Sequence, residues 1–294
     1  MTFSAFIITY KRSNELIHLL QKISEQTVIP QHILIVDNDP DQSAKDVPSL
    51  FANLFIEYHP VGYNAGPAGA ANYGLDYLSK KGYDFIAWLD DDDPPYFNDT
   101  FEHLLGILKE NKQCGCVGLV GQHFNHHLGV IKRVDNDELT GKGLLSVSYI
   151  AGNMIKIVNA EVVRSKNILP EKKIFFGFEE LEFDLKLQKA GYTLLVDKEN
   201  FYRHRKLYNR LNITQPFFSK KNNKQLIRDY YSTRNLLFIM NQNKFYFAFV
   251  SVIFRVIFKS LAGFIYGPLY GIRNLKYQTR GVLHYFTGKY GKVY

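Results

Sequence analysis

Acidic residues are almost absent from the last third of this 294-residue chain: past residue 200, Asp229 stands alone among 17 Lys and Arg. The first 200 residues have the opposite balance, 27 Asp and Glu against 19 Lys and Arg. An acidic body with a basic, aromatic-rich tail asks for an anionic surface as partner, and the acidic front argues against nucleic acid, whose phosphates it would repel. Cysteine is scarce too. Cys114 and Cys116, in "CGCVGLV", are too few and too close for a disulfide framework, so a reducing compartment is expected. The opening "MTFSAFIITY" has no charged leader region and no cleavage site, so no secretory signal is expected. Low-complexity tracts and internal repeats are missing, and 46% apolar residues exclude a disordered or fibrous chain.

What is present is an alternation. "SAFIITY", "HILIVDND", "LFIEYH", "DFIAWLDDDD" and "CGCVGLVGQ" read as strands, and the lack of polar alternation in several of them implies burial on both faces, as in a parallel sheet. Between them, "KRSNELIHLLQKISEQ", "GPAGAANYGLDYLSKKG" and "TFEHLLGILKEN" read as helices. That order predicts a doubly wound α/β sheet, whose ligands bind beyond the carboxyl ends of the strands. "SVSYIAGNMIKI" reads as a strand or hairpin, "VNAEVVRSKNILP" as a short helix and turn, "FFGFEELEFDLKLQKAGY" as an amphipathic helix and "TLLVD" as a strand followed by "FYRHR".

The polar residues collect at the predicted carboxyl edge. In "FIAWLDDDDPP" an apolar strand runs into four consecutive carboxylates and is stopped by two prolines. Such charges repel unless solvent or a cation lies among them. Asp90 and Asp92 form an Asp-x-Asp pair able to hold Mg²⁺ or Mn²⁺ in phosphate chemistry, and His204, beyond "TLLVD", offers a third ligand. The plainer alternative is a solvated acidic loop with Asp99 capping the next helix. The histidines of "QHFNHHLG" read as a loop rather than a metal site. Asp37 and Asn38 end a strand where a base or ribose is commonly received, or simply close an Asx turn. The small residues of "NAGPAGAANYG" let backbone approach a ligand, with the helix N-terminus aimed at phosphate. Glu179, Glu180 and Glu182 suit the first turn of a helix through the macrodipole, and any of them could serve as general base.

Taken together, "IITYKR", "IVDND", "NAGPAGAANYG", "WLDDDDPP", "GFEELEFDLKLQKAGY" and "RDYYSTRNLLFI" resemble the family-two inverting glycosyltransferases of GT-A fold, across residues 3 to 240. Within that family the chain looks most similar to bacterial galactofuranosyl- and rhamnosyltransferases of O-antigen, capsule or cell-wall glycans. The resemblance implies that Thr9, Arg12, Asp37 and Asp91 contact the nucleotide with Asn64 and Gly66 nearby, and that Asp90, Asp92 and His204 hold Mn²⁺ or Mg²⁺. It also implies that Glu180 is the base and Glu179 its support, where the family usually has Glu-Asp or Asp-Asp. The implied reaction moves a sugar from a nucleotide-sugar donor, UDP-galactofuranose or another UDP-hexose, to a lipid-linked oligosaccharide. A dTDP-rhamnose donor is the alternative, and a catalytically inactive membrane scaffold on the same fold is the alternative of another class. A nucleotidyltransferase would carry a Gly-rich basic loop after the first strand, which "TYKRSNE" lacks.

The expected organisation is a GT-A domain over 1–215, Rossmann-like, and a basic helical extension over 216–294. After Lys244 no uncharged stretch reaches the roughly 18–20 residues of a spanning helix. Arg255, Lys259, Arg273, Lys276 and Arg280 recur at helical spacing among Phe, Ile, Tyr and Leu, which predicts an amphipathic helix on an anionic membrane surface. A C-terminal bundle packed on the catalytic domain or on a second copy of the chain is the other reading. The expected location is the cytoplasmic face of the cell membrane.

Overall fold

The computed structural model describes residues 2–151, 155–213 and 219–294. Its main sheet has the order β3-β2-β1-β4-β9-β5-β10-β8. The first four of these, β1 (Phe3–Thr9), β2 (His32–Asp37), β3 (Ile56–Pro60) and β4 (Phe85–Asp90), run parallel. Every residue of β1 and β2 is buried, as their unbroken apolar runs require. Ala5 and Ile7 face α1 (Ser13–Ser24) and α3 (Thr100–Glu110), while Phe6 and Ile8 face α2 (Gly66–Lys80). This two-sided burial makes the carboxyl edge of the parallel strands the place where polar residues emerge.

The other half of this parallel-dominated sheet is mixed. β9 (Lys156–Asn159) lies antiparallel between β4 and β5 (Cys114–Gly118), and β8 (Leu144–Ser146) lies antiparallel on β10 (Thr193–Asp197) at the far edge. β8 and β9 therefore do not form the hairpin read in "SVSYIAGNMIKI", whose residues 152–154 lie outside the described ones. β6 (Gln122–Asn125) and β7 (Val130–Arg133) form a separate hairpin carrying His123, which pairs with Glu138 at 2.8 Å.

α4 (Ala160–Lys166) follows β9, and α5 (Glu179–Lys189) is buried on nearly every side, including Glu179, Glu182 and Asp184, so it is not the amphipathic helix its sequence indicates. The reason is that α5 is sandwiched. Phe183 and Leu187 join the sheet core, while Leu181 and Leu185 join the core of the C-terminal helices. "FYRHR" belongs to α6 (Lys198–Leu207), started by Asp197, whose carboxylate accepts from the Asn200 N–H at 2.8 Å. The 215/216 boundary falls outside the described residues. Beyond it, α7 (Asn223–Gln242), α8 (Tyr246–Ala262) and α9 (Pro268–Phe286) pack together and against α5.

Candidate active site

Thr9 ends β1, and its hydroxyl donates to Asp91 Oδ2 at 2.8 Å. Arg12, one turn of chain later, donates to Asp91 Oδ1 at 3.2 Å and also contacts the exposed Asp92. Three of the residues assigned to the nucleotide thus form one network across the ends of β1 and β4. Burial still pushes the Asp91 carboxyl up to about 6 against the pull of Thr9 and Arg12. Asp93 is pushed up to about 7 by burial and by Asp92, and its Oδ2 is buried without a partner. Asp90 is raised well above the usual carboxylate range by burial and then by Glu180. Burial and mutual repulsion thus outweigh the pull of Arg12 on Asp91 and of Arg210 on Asp93 at the end of β4.

The remaining nucleotide candidates are placed differently. Asp37 is fully buried, with Oδ1 accepting from the Asp39 N–H at 2.8 Å and Oδ2 from the Tyr58 hydroxyl at 2.7 Å. Its carboxylate thus closes an Asx turn and ties β2 to β3. Asn38 lies beside it, donating to Gly66 O at 3.2 Å while its Oδ1 is buried without a partner. Asn64 accepts from the Gly66 N–H at 3.0 Å. Gly66 itself, at φ +72°, sits where a Cβ would meet Phe175 O at 2.2 Å, and the Ala68 N–H donates to that same carbonyl at 3.2 Å. The small residues of "NAGPAGAANYG" accordingly serve close packing of chain on chain, and the N-terminus of α2 is covered by Phe175 rather than open to phosphate.

Glu179 and Glu180 begin α5 and share one electrostatic neighbourhood with Asp90. Glu179 is the deeper of the two. Burial and Glu180 raise it well above the carboxylate range, and its Oε2 has no partner. Glu180 is half-buried. Glu182 is structural, paired with Lys186 at 2.7 Å and accepting the Glu171 N–H at 3.0 Å. Two residues that the motifs did not single out lie beneath this pair. Lys156 and Asp184, both wholly buried, form an ion pair, and Asp184 accepts from the Ile150 N–H at 2.7 Å while Lys156 donates to Ile150 O at 3.2 Å. A lone lysine inside the apolar sequence "MIKIV" was the available signal, since a buried charge needs a partner.

The loop entering α5 is gripped from the C-terminal helices. Asn235 donates to the carbonyls of Ile174, Phe176 and Gly177 at 3.0, 2.8 and 2.9 Å, and Arg234 to Ile174 O at 2.8 Å. Within this loop Phe175 and Phe178 take positive φ, +64° and +69°.

His204 lies on α6, buried, with its ring 4.6 Å from that of Tyr208. Burial and Arg210 push it down to about 4, which keeps it in the neutral form that ligates metals. It lines a cavity of about 850 Å³ together with Gln122, Arg133, Tyr149, Arg205 and Arg210. A smaller cavity of about 550 Å³ lies beside Lys11, Arg12, Asp39 and Ser43. Among the described residues no three His, Cys, Asp or Glu side chains stand together ready to hold an ion, so Asp90, Asp92 and His204 are not assembled into one ligand group. The donor chemistry nonetheless fits a hard divalent cation: surplus carboxylates at the end of β4, a partnerless Asp93 oxygen and an uncharged imidazole.

Comparison with known proteins agrees with this architecture. Residues 4–141 match Glycosyl transferase family 2. An uncharacterized glycosyltransferase of Bacillus subtilis, YwdF, is 39% identical over 93 residues, covering 32% of this chain and 33% of that protein. The galactofuranosyltransferase GlfT1 of Mycobacterium tuberculosis is 35% identical over 97 residues, 32% of this chain and 31% of its own. The O-antigen chain rhamnosyltransferase WbaN of Salmonella anatum is 22% identical over 219 residues, 69% of this chain and 66% of its own. The chain thus spans about a third of the length of the first two relatives. Among solved structures, the mannosyltransferase PcManGT of Pyrobaculum calidifontis with GDP-Man and Mn²⁺ superposes with TM-score 0.56 at 12% identity, over 98% of this chain and 87% of that one. TarS of S. aureus with UDP superposes with TM-score 0.54 at 15% identity, over 98% and 92%. These last two share the fold.

Proposed function

Since the chain carries a glycosyl transferase family 2 domain, we propose that it transfers a hexosyl group from a nucleoside-diphosphate sugar to a hydroxyl acceptor with inversion at the anomeric carbon. The observation that carries this reading is the meeting of two acidic elements: the end of β4, with Asp90, and the start of α5, with Glu179 and Glu180. Donor and acceptor chemistry require such a pairing, a phosphate end and a proton acceptor side by side.

In this mechanism Arg12 and the Thr9–Asp91 network hold the nucleotide end. Glu180 accepts the proton of the acceptor hydroxyl as its oxygen attacks the anomeric carbon from the face opposite the leaving diphosphate. A single displacement gives inversion. Glu179, buried beside Glu180, is the carboxyl of the two that keeps its proton, which leaves the more accessible Glu180 to act as base. Asp90 and Asp92, with His204, would hold a divalent cation, whose contribution is to offset the charge of the departing diphosphate.

A galactofuranosyltransferase and an O-antigen chain rhamnosyltransferase among the relatives favour a bacterial surface glycan as product; we take UDP-galactofuranose or another UDP-hexose as donor and a lipid-linked glycan as acceptor. The similarity to WbaN, which extends over 69% of this chain, keeps dTDP-rhamnose as the second donor. Calorimetric titration of UDP and dTDP, each with and without Mn²⁺, into wild type and Asp92→Asn tests the reading. Metal-dependent binding of one nucleotide, lost in the variant, is expected. Binding of neither would favour the inactive scaffold.

A further inference from the structure

The C-terminal helices expose a broad apolar surface. α8 buries Ala248, Val252, Val256 and Ser260 among α7, α9 and Phe124. At about 100° per residue, Phe247, Phe254, Phe258, Leu261 and Ile265 project from the opposite side. They are exposed by 81, 67, 55, 64 and 81%. Arg255 and Lys259 fall on the flank between these two faces, and Arg255 donates to Gly129 O at 2.8 Å. The outward sector is therefore uncharged along its whole length. This departs from the amphipathic reading, in which those two residues face an anionic surface. By length and composition Tyr246–Tyr266 is also apolar enough to cross a membrane, which amends the expectation that this region falls short. It cannot be surrounded by lipid, because its inner face is part of a protein core.

Leu269 and Ile272 extend the patch onto α9, where the exposed Arg273 and Lys276 follow. No acidic residue occurs after Asp229. An exposed apolar patch of this extent marks an interaction surface. Against a second copy, the same basic rim would meet itself in a twofold interface. A lipid leaflet offers both complements at once, acyl chains for the aromatic sector and anionic headgroups for the rim.

We propose that α8, the turn to Tyr266 and the start of α9 form a docking face that enters one leaflet of an anionic membrane without crossing it. The phenylalanines and leucines enter the acyl region, Arg273 and Lys276 meet the headgroups, and Tyr246 and Tyr266 sit at the boundary where tyrosine is favoured. The β6–β7 hairpin packs on the buried side of α8, opposite this face. Gly129 at its turn lies within 3.4 Å of Ala248, Met240 and Val252 for an added Cβ, while Gln122 and Arg133 at its base line the 850 Å³ cavity. The docking face does not rest on the transferase reading.

The test is cosedimentation of the full chain with phosphatidylcholine vesicles, with and without phosphatidylglycerol. Wild type is expected to bind the anionic vesicles. Phe254→Ser with Phe258→Ser, both at exposed positions, should lose binding to both kinds. Arg273→Gln with Lys276→Gln should lose only the phosphatidylglycerol-dependent part, about fivefold per charge. UDP titration of each variant reports a folded nucleotide end separately, so failure of docking and failure of the transferase reading are distinguishable. Wild type that stays in the supernatant with either vesicle, or a phenylalanine variant that sediments like wild type, overturns the proposal. So does light scattering that shows a dimer converted to monomer by the phenylalanine pair in a protein that ignores vesicles.

Discussion

Replacing Asn235 by alanine should displace the start of α5, with its candidate base, and leave the proposed nucleotide end untouched. The side chain donates to three carbonyls of the loop that delivers Glu179 and Glu180, at 2.8–3.0 Å. The amide has two N–H protons to share among the three carbonyls, so its loss should cost about 1–3 kcal/mol of stability, at roughly 0.5–1.5 kcal/mol net per donated proton. Thermal unfolding would then fall by roughly 2–5 °C for a chain of this size. The larger effect is local. Phe175 and Phe178 hold left-handed conformations that cost about 1–3 kcal/mol each and persist only where the surroundings over-determine them. Asn235 holds the carbonyls of Ile174, Phe176 and Gly177 on this loop, so its loss lets the loop relax and carries the start of α5 with it. A displacement of about 1 Å at a reacting group can lower turnover about 10²-fold. Turnover with the donor identified by binding should therefore fall by that order, while the affinity for the nucleotide, read by calorimetry, stays at the wild-type value. Asn235→Asp should be worse, because it sets a carboxylate against three carbonyl oxygens. Wild-type turnover in Asn235→Ala, or an equal loss of nucleotide affinity, would refute the reasoning.

Glu180→Gln should keep donor binding and lose about 10²–10⁴-fold in transfer rate; unchanged single-turnover kinetics would remove the base assignment. Lys156→Met leaves Asp184 buried without its cation and should cost about 3–5 kcal/mol in urea unfolding, with a loss under about 1 kcal/mol counting against the pair as described. Gly66→Ala places a methyl 2.2 Å from Phe175 O at a φ of +72°, so the variant should unfold at markedly lower urea than wild type, whereas Gly82→Ala, with open space around it, should show only the smaller backbone effect. Burial pushes the Cys114 thiol up to about 12, so native protein at pH 8 should resist iodoacetamide at Cys114 and Cys116 until denatured, as read by mass spectrometry.

Much of the sheet was legible because its central strands are apolar without alternation, a pattern only two-sided burial explains. The convergence of Thr9, Arg12 and Asp91 followed from that alone, since strand ends in a parallel sheet share an edge. What could not be read was direction and partnership. "IKIVN" is equally apolar whether it runs with or against its neighbours, so the antiparallel insertion of β9 left no trace. Lys156 was visible as a misplaced charge, but its partner lies 28 residues away on another element. The periodicity of α5 misled because two cores claim opposite sides of it, and the carboxylates on the remaining sides are buried too. For α8 the spacing of Arg255 and Lys259 was read correctly as helical, yet spacing cannot tell a flank from a face.

The loop before α5 has one more implication, in the order of synthesis. One side of it is pressed by Gly66 and Ala68, which leave the ribosome early; the other is held by Arg234 and Asn235, with Arg234 also bonded to Gly291 O and the Gly291 N–H to Lys173 O. A nascent chain can complete its sheet and its nucleotide edge while the acids of α5 still lack their mooring. The candidate base is set only once Gly291 has emerged, so a chain still short of it has the sheet edge without its moored acids.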